Sequence, residues 1–314
     1  MTNIKLGTFA FEAGSAEAGV LVGEDKVVKL AAGYEAYYAA QAEKPAVAGL
    51  PKCMVDMMKL GQAGADAARA LVEWVSAGNG AELLYDLTDE MTLNPIVPTK
   101  SIWIGRTFGT HVQIGGLPDP ECPHIFLKPS TAFTKPYGYC VIPNFNGVPY
   151  DKVVYGCELT AVIGSTAKYC TPENIMEHVA GWTISNDVTC RGVLYPKNKM
   201  IDTFAPYGPY IIPADQIADP NDVKLLLKVN GELKQEGHTG TNTFWDMQTI
   251  LANLSHHMTL NPGDVVALGD IGAPDTCKAG DVLEAIIPEI GTLKNYIKNE
   301  DKETPECAGG VFGS

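Results

Sequence analysis

GWTISNDVTCRGVLYPKNKMIDTFAPYGP, residues Gly181 to Pro209, reads as a largely apolar strand that ends at Asn186-Asp187 and then turns polar. The carboxylate is followed by Arg191, Lys199 and Asp202 before the segment closes on Pro206 and Gly208-Pro209. Two readings fit this pattern. One is a buried strand followed by a Pro-rich surface loop. The other is a site in which a carboxylate and fixed cations receive a metal ion and an anionic or enolising substrate.

The chain has 314 residues, enough to bury a full core as one large domain or two unequal ones. Its hydrophobic share of 46% and charged share of 19% belong to an ordinary globular protein. A net charge of −14 argues against nucleic acid or an anionic membrane as the main partner. Arg191 and Lys199 can still invert the field locally, inside a cleft. The eight cysteines are scattered, with neither a CxxC pair nor zinc-like spacing. The N-terminal MTNIKLGTF has no basic region followed by an apolar one, and no apolar run approaches the ~18 residues of a membrane span. A reducing cytoplasm is the expected location.

Residues 1–98 read as a small α+β cap. The Ala18–Gly23 and Lys26–Leu30 segments form a hairpin pattern, and the text stays strand-like to about Gly33. A helical periodicity runs from Gln62 to Ala77. Leu93-Asn-Pro-Ile-Val-Pro is an extended linker, because each proline biases its predecessor away from helix. Ser101–Gly105 is then a strand leading into a Gly/Pro-rich loop, a candidate lid that carries His111. His111 is either a structural loop residue or a general base, since imidazole titrates nearest neutral pH.

Ile125-Phe-Leu-Lys-Pro is another strand. Val153 to Gly164 alternates around a single carboxylate, Glu158. A Glu in so apolar a strand needs a cation, a metal or a donor, because an isolated buried charge is very costly. Thr171-Pro-Glu-Asn starts a helix over Asn174–Ala180, with Thr171 as its N-cap. Asn230-Gly231 is a hairpin turn. Phe244–His257 has helical spacing, and the tail from Asn299 to Ser314 is expected to fray. Many short strands joined by Gly, Pro and Asn turns predict a rolled, β-rich core.

From Ile102 to Ile297 the motifs resemble the fumarylacetoacetate hydrolase superfamily. In order they are Gly105 to His111 (with Thr107 and Phe108 where the family has Asn-Tyr), FLKPS, ELTAVIG, AGWTISNDVTCR, KMIDTFAPYGP, VNGELKQ, LNPGDVVALG and AGDVLEAIIPEIGTLKN. The resemblance implies an α+β, β-rich fold. Its rolled mixed sheet would occupy a catalytic domain over 99–298, after the 1–98 cap and before a 299–314 tail. It also implies a homodimer and a divalent cation, Mg²⁺ or Mn²⁺, that chelates a small ketonic substrate.

The same resemblance makes Glu158 and Asp187 metal ligands, Lys199 a catalytic cation at the substrate oxygen, and His111 the lid base. Arg191, Gln235, Thr239 and Asp270 become substrate-facing positions. Three positions depart from the pattern. Gly156 stands where the first metal Glu is expected, Ile114 where the lid acid is expected, and Asp270 where a Thr is expected. Asp119, Glu121 or Asp270 would have to supply an acid from elsewhere. The activity expected is hydrolysis of a C–C bond in a β-diketone or acylpyruvate through a metal-stabilised enolate. Decarboxylation, tautomerisation or dehydration of a 2-oxo acid is the second reading, and a non-catalytic homologue the third.

Overall fold

The computed structural model describes residues 2–145, 148–273 and 275–301. Its centre is the strand Cys157–Ile163, every residue of which is buried. Such a strand must be covered on both faces, which accounts for the near-continuous apolar text of ELTAVI. It pairs antiparallel with Val179–Asn186 on one side and with Val265–Ala267 on the other. Val265–Ala267 in turn runs parallel to Ser101–Gly105.

This pairing places the site. Glu158 sits at the beginning of the central strand, opposite Ser185. Both neighbours run the other way, so their C-terminal ends, Asn186-Asp187 and Leu268-Gly269-Asp270, arrive at the same edge. The parallel strand from Ser101 delivers Gly105 and the lid there too. Four chain segments distant in sequence thus end within one small volume.

The large sheet has eleven strands. Its far end is built from the N-terminal segment. The strands Leu6–Glu12, Ser15–Val22, Lys26–Lys29 and Leu84–Asp86 continue the sheet through the pairing of Leu6 with Ile211. Helices Leu30–Ala40 and Gly61–Ser76 cover that end, in a core that joins Leu6, Tyr34 and Leu71 to Val162 and Val265 of the central strands. A second sheet of five strands packs on the other side, with Leu225, Leu227, Leu283 and Leu293 meeting Leu159 and Ile184. Asn230-Gly231 makes the hairpin between Lys224–Val229 and Glu232–His238, with both residues at positive φ as a tight turn requires.

Some local expectations need correction. The strand-like text reaching Gly33 is helical from Leu30, because Leu30 and Tyr34 point into the sheet's core. Asn174–Ala180 is not an α-helix. A single 3-10 turn spans Ile175–His178, without a side-chain cap from Thr171, and the buried strand begins at Val179. Packing of Val179 and Gly181 into the central sheet outweighs the local helix signal. The helix expected over Phe244–His257 is shorter than its periodicity, running Met247–His257 with Asp246 as its N-cap (Thr249 N to Asp246 Oδ1, 2.7 Å). The strand Gly291–Asn299 continues to Asn299, and residues 302–314 of the expected tail lie outside the described residues. No helix among the described residues is long and apolar enough to cross a membrane.

Candidate active site

Glu158, Asp187 and Asp270 are all buried, and each offers a carboxylate oxygen within 4.8 Å of the other two. Three carboxylates so close, away from water, repel one another unless a cation joins them. Burial first, then Asp187 and Asp270, hold the Glu158 carboxyl well above its ordinary range. The Gly269 amide donates to its Oε2 at 2.7 Å. Gly269 has φ +98°, a left-handed turn that a Cβ would strain, and this turn aims the amide inward.

Asp187 is satisfied differently. Lys128 Nζ lies 2.7 Å from Oδ1, and Lys199 donates to Oδ2. Burial alone would push this carboxyl up, but the two lysines outweigh it and hold it at about 2. Lys128 is wholly buried. Its ammonium also donates to the carbonyls of Val188 (3.0 Å) and Phe204 (2.5 Å), and it lies 4.6 Å from the centre of the Trp103 ring. Lys199 additionally donates to Thr189 Oγ1 at 3.0 Å.

The third carboxylate reaches the lid. After Ser101–Gly105 the chain turns through Arg106, at φ +60°, into a short helix Gly109–Gly115 that carries His111. His111 Nδ1 lies 3.0 Å from Asp270 Oδ1. Attraction to Asp270 raises the histidine above its ordinary value, against the opposing effect of burial. Ile114 is half exposed, and Asp119 and Glu121 are exposed, so among the acids expected near the lid histidine it is Asp270 that pairs with it.

The cluster opens into a cavity of about 480 Å³. Its wall includes His111, Asp187, Lys199 and Asp270 at one side, with Arg106, Arg191 and His124 among the remaining lining groups. Phe126, Tyr155, Tyr195 and Leu117 supply the apolar surface. A chain of strongly negative charge therefore offers a locally cationic pocket, suited to a small acid.

Most residues read from sequence converge here, but three placements differ from expectation. Asp270, expected as a substrate contact, stands in the carboxylate cluster with Glu158 and Asp187 and pairs with His111. Gln235 does not line the cavity. Its side chain bridges two backbones, accepting from Cys157 N (3.1 Å) and donating to Gly272 O (2.8 Å). Thr239 is also a structural residue. Its hydroxyl donates to Pro220 O (2.6 Å) and accepts from Val223 N (3.0 Å), which fastens the start of the Lys224–Val229 strand. Sequence reasoning gave Lys128 no role. Its signal was a single cation in the apolar strand Ile125-Phe-Leu-Lys, the same signal that singled out Glu158.

The donor set fits a hard divalent cation. Three buried carboxylate oxygens, one on the central strand and two just beyond the ends of its neighbours, are the kind of ligands that Mg²⁺ or Mn²⁺ takes. The seven cysteines described are free. Burial pushes Cys140 and Cys190 up to about 12, which leaves their thiols protonated and unreactive.

Residues 100–298 match the family model described as fumarylacetoacetate (FAA) hydrolase C-terminal. An uncharacterized protein of Methanocaldococcus jannaschii is 34% identical over 218 residues, covering 68% of this chain and 89% of the relative. A mitochondrial oxaloacetate tautomerase of Bos taurus is 31% identical over 264 residues, 79% of this chain and 80% of the relative. Among solved structures, maleylpyruvate hydrolase from Sphingobium sp. SYK-6, in complex with manganese(II) and pyruvate, shares the fold with a TM-score of 0.71. That likeness covers 95% of this chain and 100% of the other at 24% identity.

Proposed function

This chain belongs to the fumarylacetoacetate (FAA) hydrolase family, and we propose that it is a metal-dependent enzyme that hydrolyses a C–C bond in an acylpyruvate or similar β-diketone acid. The reading keeps residues 99–298 as the catalytic unit and 1–98 as a cap whose strands extend its sheet. Glu158, Asp187 and Asp270 would hold a divalent cation, Mg²⁺ or Mn²⁺. Once bound, that ion supplies Lewis acidity toward the oxygens of a ketonic substrate.

The protein's own groups carry the rest. Lys199, beside Asp187 on the cavity wall, adds positive charge where a carbonyl oxygen gains negative charge. Arg106 and Arg191 attract the substrate's carboxylate. His111 has Nδ1 engaged by Asp270, which leaves Nε2 to take a proton from water. The resulting hydroxide adds to the carbonyl carbon and the adjacent C–C bond breaks. One fragment leaves as a carboxylic acid, and the electron pair passes to the other as an enolate that is protonated at carbon.

The single observation behind this reading is the 3.0 Å pairing of His111 with Asp270. A lid histidine without an acid would be a poor base for water, and Ile114 removes the acid expected nearby. Asp270 supplies one from just beyond the end of the strand Val265–Ala267. The test is turnover of an acylpyruvate in ¹⁸O-labelled water, with product analysis by mass spectrometry. Label in the new carboxylate supports hydrolysis, and conversion without cleavage or label refutes it.

A second reading is tautomerisation of a 2-oxo acid. It is favoured by the relative of 31% identity named an oxaloacetate tautomerase. There His111 would move a proton between carbon and oxygen with no water consumed. Enol-to-keto conversion of oxaloacetate, followed by ultraviolet absorbance, separates this activity from cleavage.

A further inference from the structure

We propose that Asp270 has two separable duties, performed in space that Gly156 leaves open: its Oδ2 completes the carboxylate cluster, and its Oδ1 fixes the ring of His111. The first duty rests on the cation reading above.

Gly156 immediately precedes the strand that carries Glu158. Its φ lies outside the left-handed region, so backbone conformation does not call for glycine here. Space does. A Cβ on residue 156 would lie 2.0 Å from Asp270 Oδ2, 2.4 Å from its Cγ and 2.8 Å from its Cβ. The backbone has no room to withdraw, because Gly156 N donates to Asn186 Oδ1 (2.9 Å) and its carbonyl accepts from Asp187 N (2.8 Å). A side chain at 156 and the carboxylate at 270 therefore exclude one another. The third acid reaches the cluster from one position or the other, never from both.

The second duty uses the other oxygen. Asp270 Oδ1 accepts from Gly272 N at 2.5 Å and lies 3.0 Å from His111 Nδ1. The lid is seated against this turn, since a Cβ on Gly272 would lie 3.0 Å from His111 Cα. Neutral His111 consequently carries its proton on Nδ1 and presents the lone pair of Nε2. An acid transferred to 156 replaces the cluster oxygen but not this bond. Asp270 is thus a cation ligand and, toward His111, a positioning residue.

The experiment pairs Mn²⁺ titration, read by electron paramagnetic resonance, with ¹⁵N spectra of histidine-labelled, metal-free protein. Thermal melts confirm that each variant folds. Wild type is expected to bind Mn²⁺ and to show His111 as the Nδ1-protonated tautomer. Asp270→Asn should weaken Mn²⁺ by about 100-fold or more, since even outer partners of a ligand are worth ~10–100-fold. Gly156→Ala should lose Mn²⁺ although every acid is still present. The paired change Gly156→Glu with Asp270→Gly, which also removes the Cβ that a side chain at 156 would meet, should recover most of the Mn²⁺ affinity while His111 loses its fixed tautomer.

Several results would overturn the proposal. Full Mn²⁺ affinity in Gly156→Ala removes the exclusion, and full affinity in Asp270→Asn removes the ligand duty. A folded paired variant that recovers no binding contradicts the interchange of positions. Should that variant not fold, Asp270→Ala alone must still release the His111 tautomer, or the second duty is wrong. A wild type that binds no Mn²⁺ overturns the cation reading itself, and its tautomer still decides the histidine half.

Discussion

Lys128 Nζ and Asp187 Oδ1 meet at 2.7 Å with both side chains shut off from solvent, at 0% and 4% exposure. Burial lowers the pKa of this lysine, and Asp187 only partly restores it. Removing one member of a buried pair usually costs about 3–5 kcal/mol, because the other charge stays in place without its partner. Lys199 still holds Asp187, so Lys128→Met is expected at the lower end, about 3 kcal/mol, in urea unfolding at neutral pH. A loss under 1 kcal/mol would show that Asp187 does not depend on Lys128.

His111→Ala removes the proposed base and leaves the sheet untouched, since His111 stands on the short lid helix. Turnover should fall by about 10²–10⁴-fold, with the variant still folding cooperatively in a thermal melt and Mn²⁺ still bound. Near-normal turnover would remove His111 from the chemistry.

Thr239→Ala separates the structural assignment from the expected substrate contact. Its hydroxyl is spent on Pro220 O and Val223 N, both within the protein. Unfolding experiments should show a loss of about 1–3 kcal/mol, the cost of leaving buried groups without a partner. KM should stay within twofold, by a rough reckoning from the absence of a cavity contact. A large rise in KM without loss of stability would restore the substrate role.

The two cavity histidines should titrate on opposite sides of 6.5 in metal-free protein. Asp270 raises His111, whereas burial and then Arg106 lower His124. For His111 the folded value exceeds the unfolded one, so its stabilisation is full below about 6.5 and is lost as pH rises through the folded value. For His124 the sign reverses. Its contribution is present above about 6.5 and is lost as pH falls through the folded value. Proton NMR titration of the imidazoles checks this, and Arg106→Gln should move His124 upward while leaving His111 in place. Both histidines titrating on the same side of 6.5 would contradict the pairing.

How much of this was legible in the text depended on whether the signal was local. Glu158 announced itself as one charge in a run of apolar residues, and Asn186-Asp187 as the polar end of such a run. Asn230-Gly231 named its own hairpin. Asp270 could not be read in the same way. Its role depends on the antiparallel pairing of Cys157–Ile163 with Val265–Ala267, which brings it beside Gly156 across the sheet. The missing acid at 156, the missing acid at 114 and the unexpected acid at 270 look like three separate departures along the chain. In space they meet at one side chain, since Asp270 fills the room beside Gly156 and pairs with His111. Lys128 was legible in principle, but the pattern gave no means of knowing that its partner was Asp187. The helix expected at Asn174–Ala180 failed for a related reason: burial of Val179 and Gly181 in the sheet overrode a helix-start signal five to ten residues upstream.

The most direct test of the account is a crystal soaked in Mn²⁺ and measured at a wavelength where manganese scatters anomalously. One strong peak is expected, bounded by oxygens of Glu158, Asp187 and Asp270, with His111 still on Asp270. A peak elsewhere, or none at those three carboxylates at saturating Mn²⁺, would contradict it.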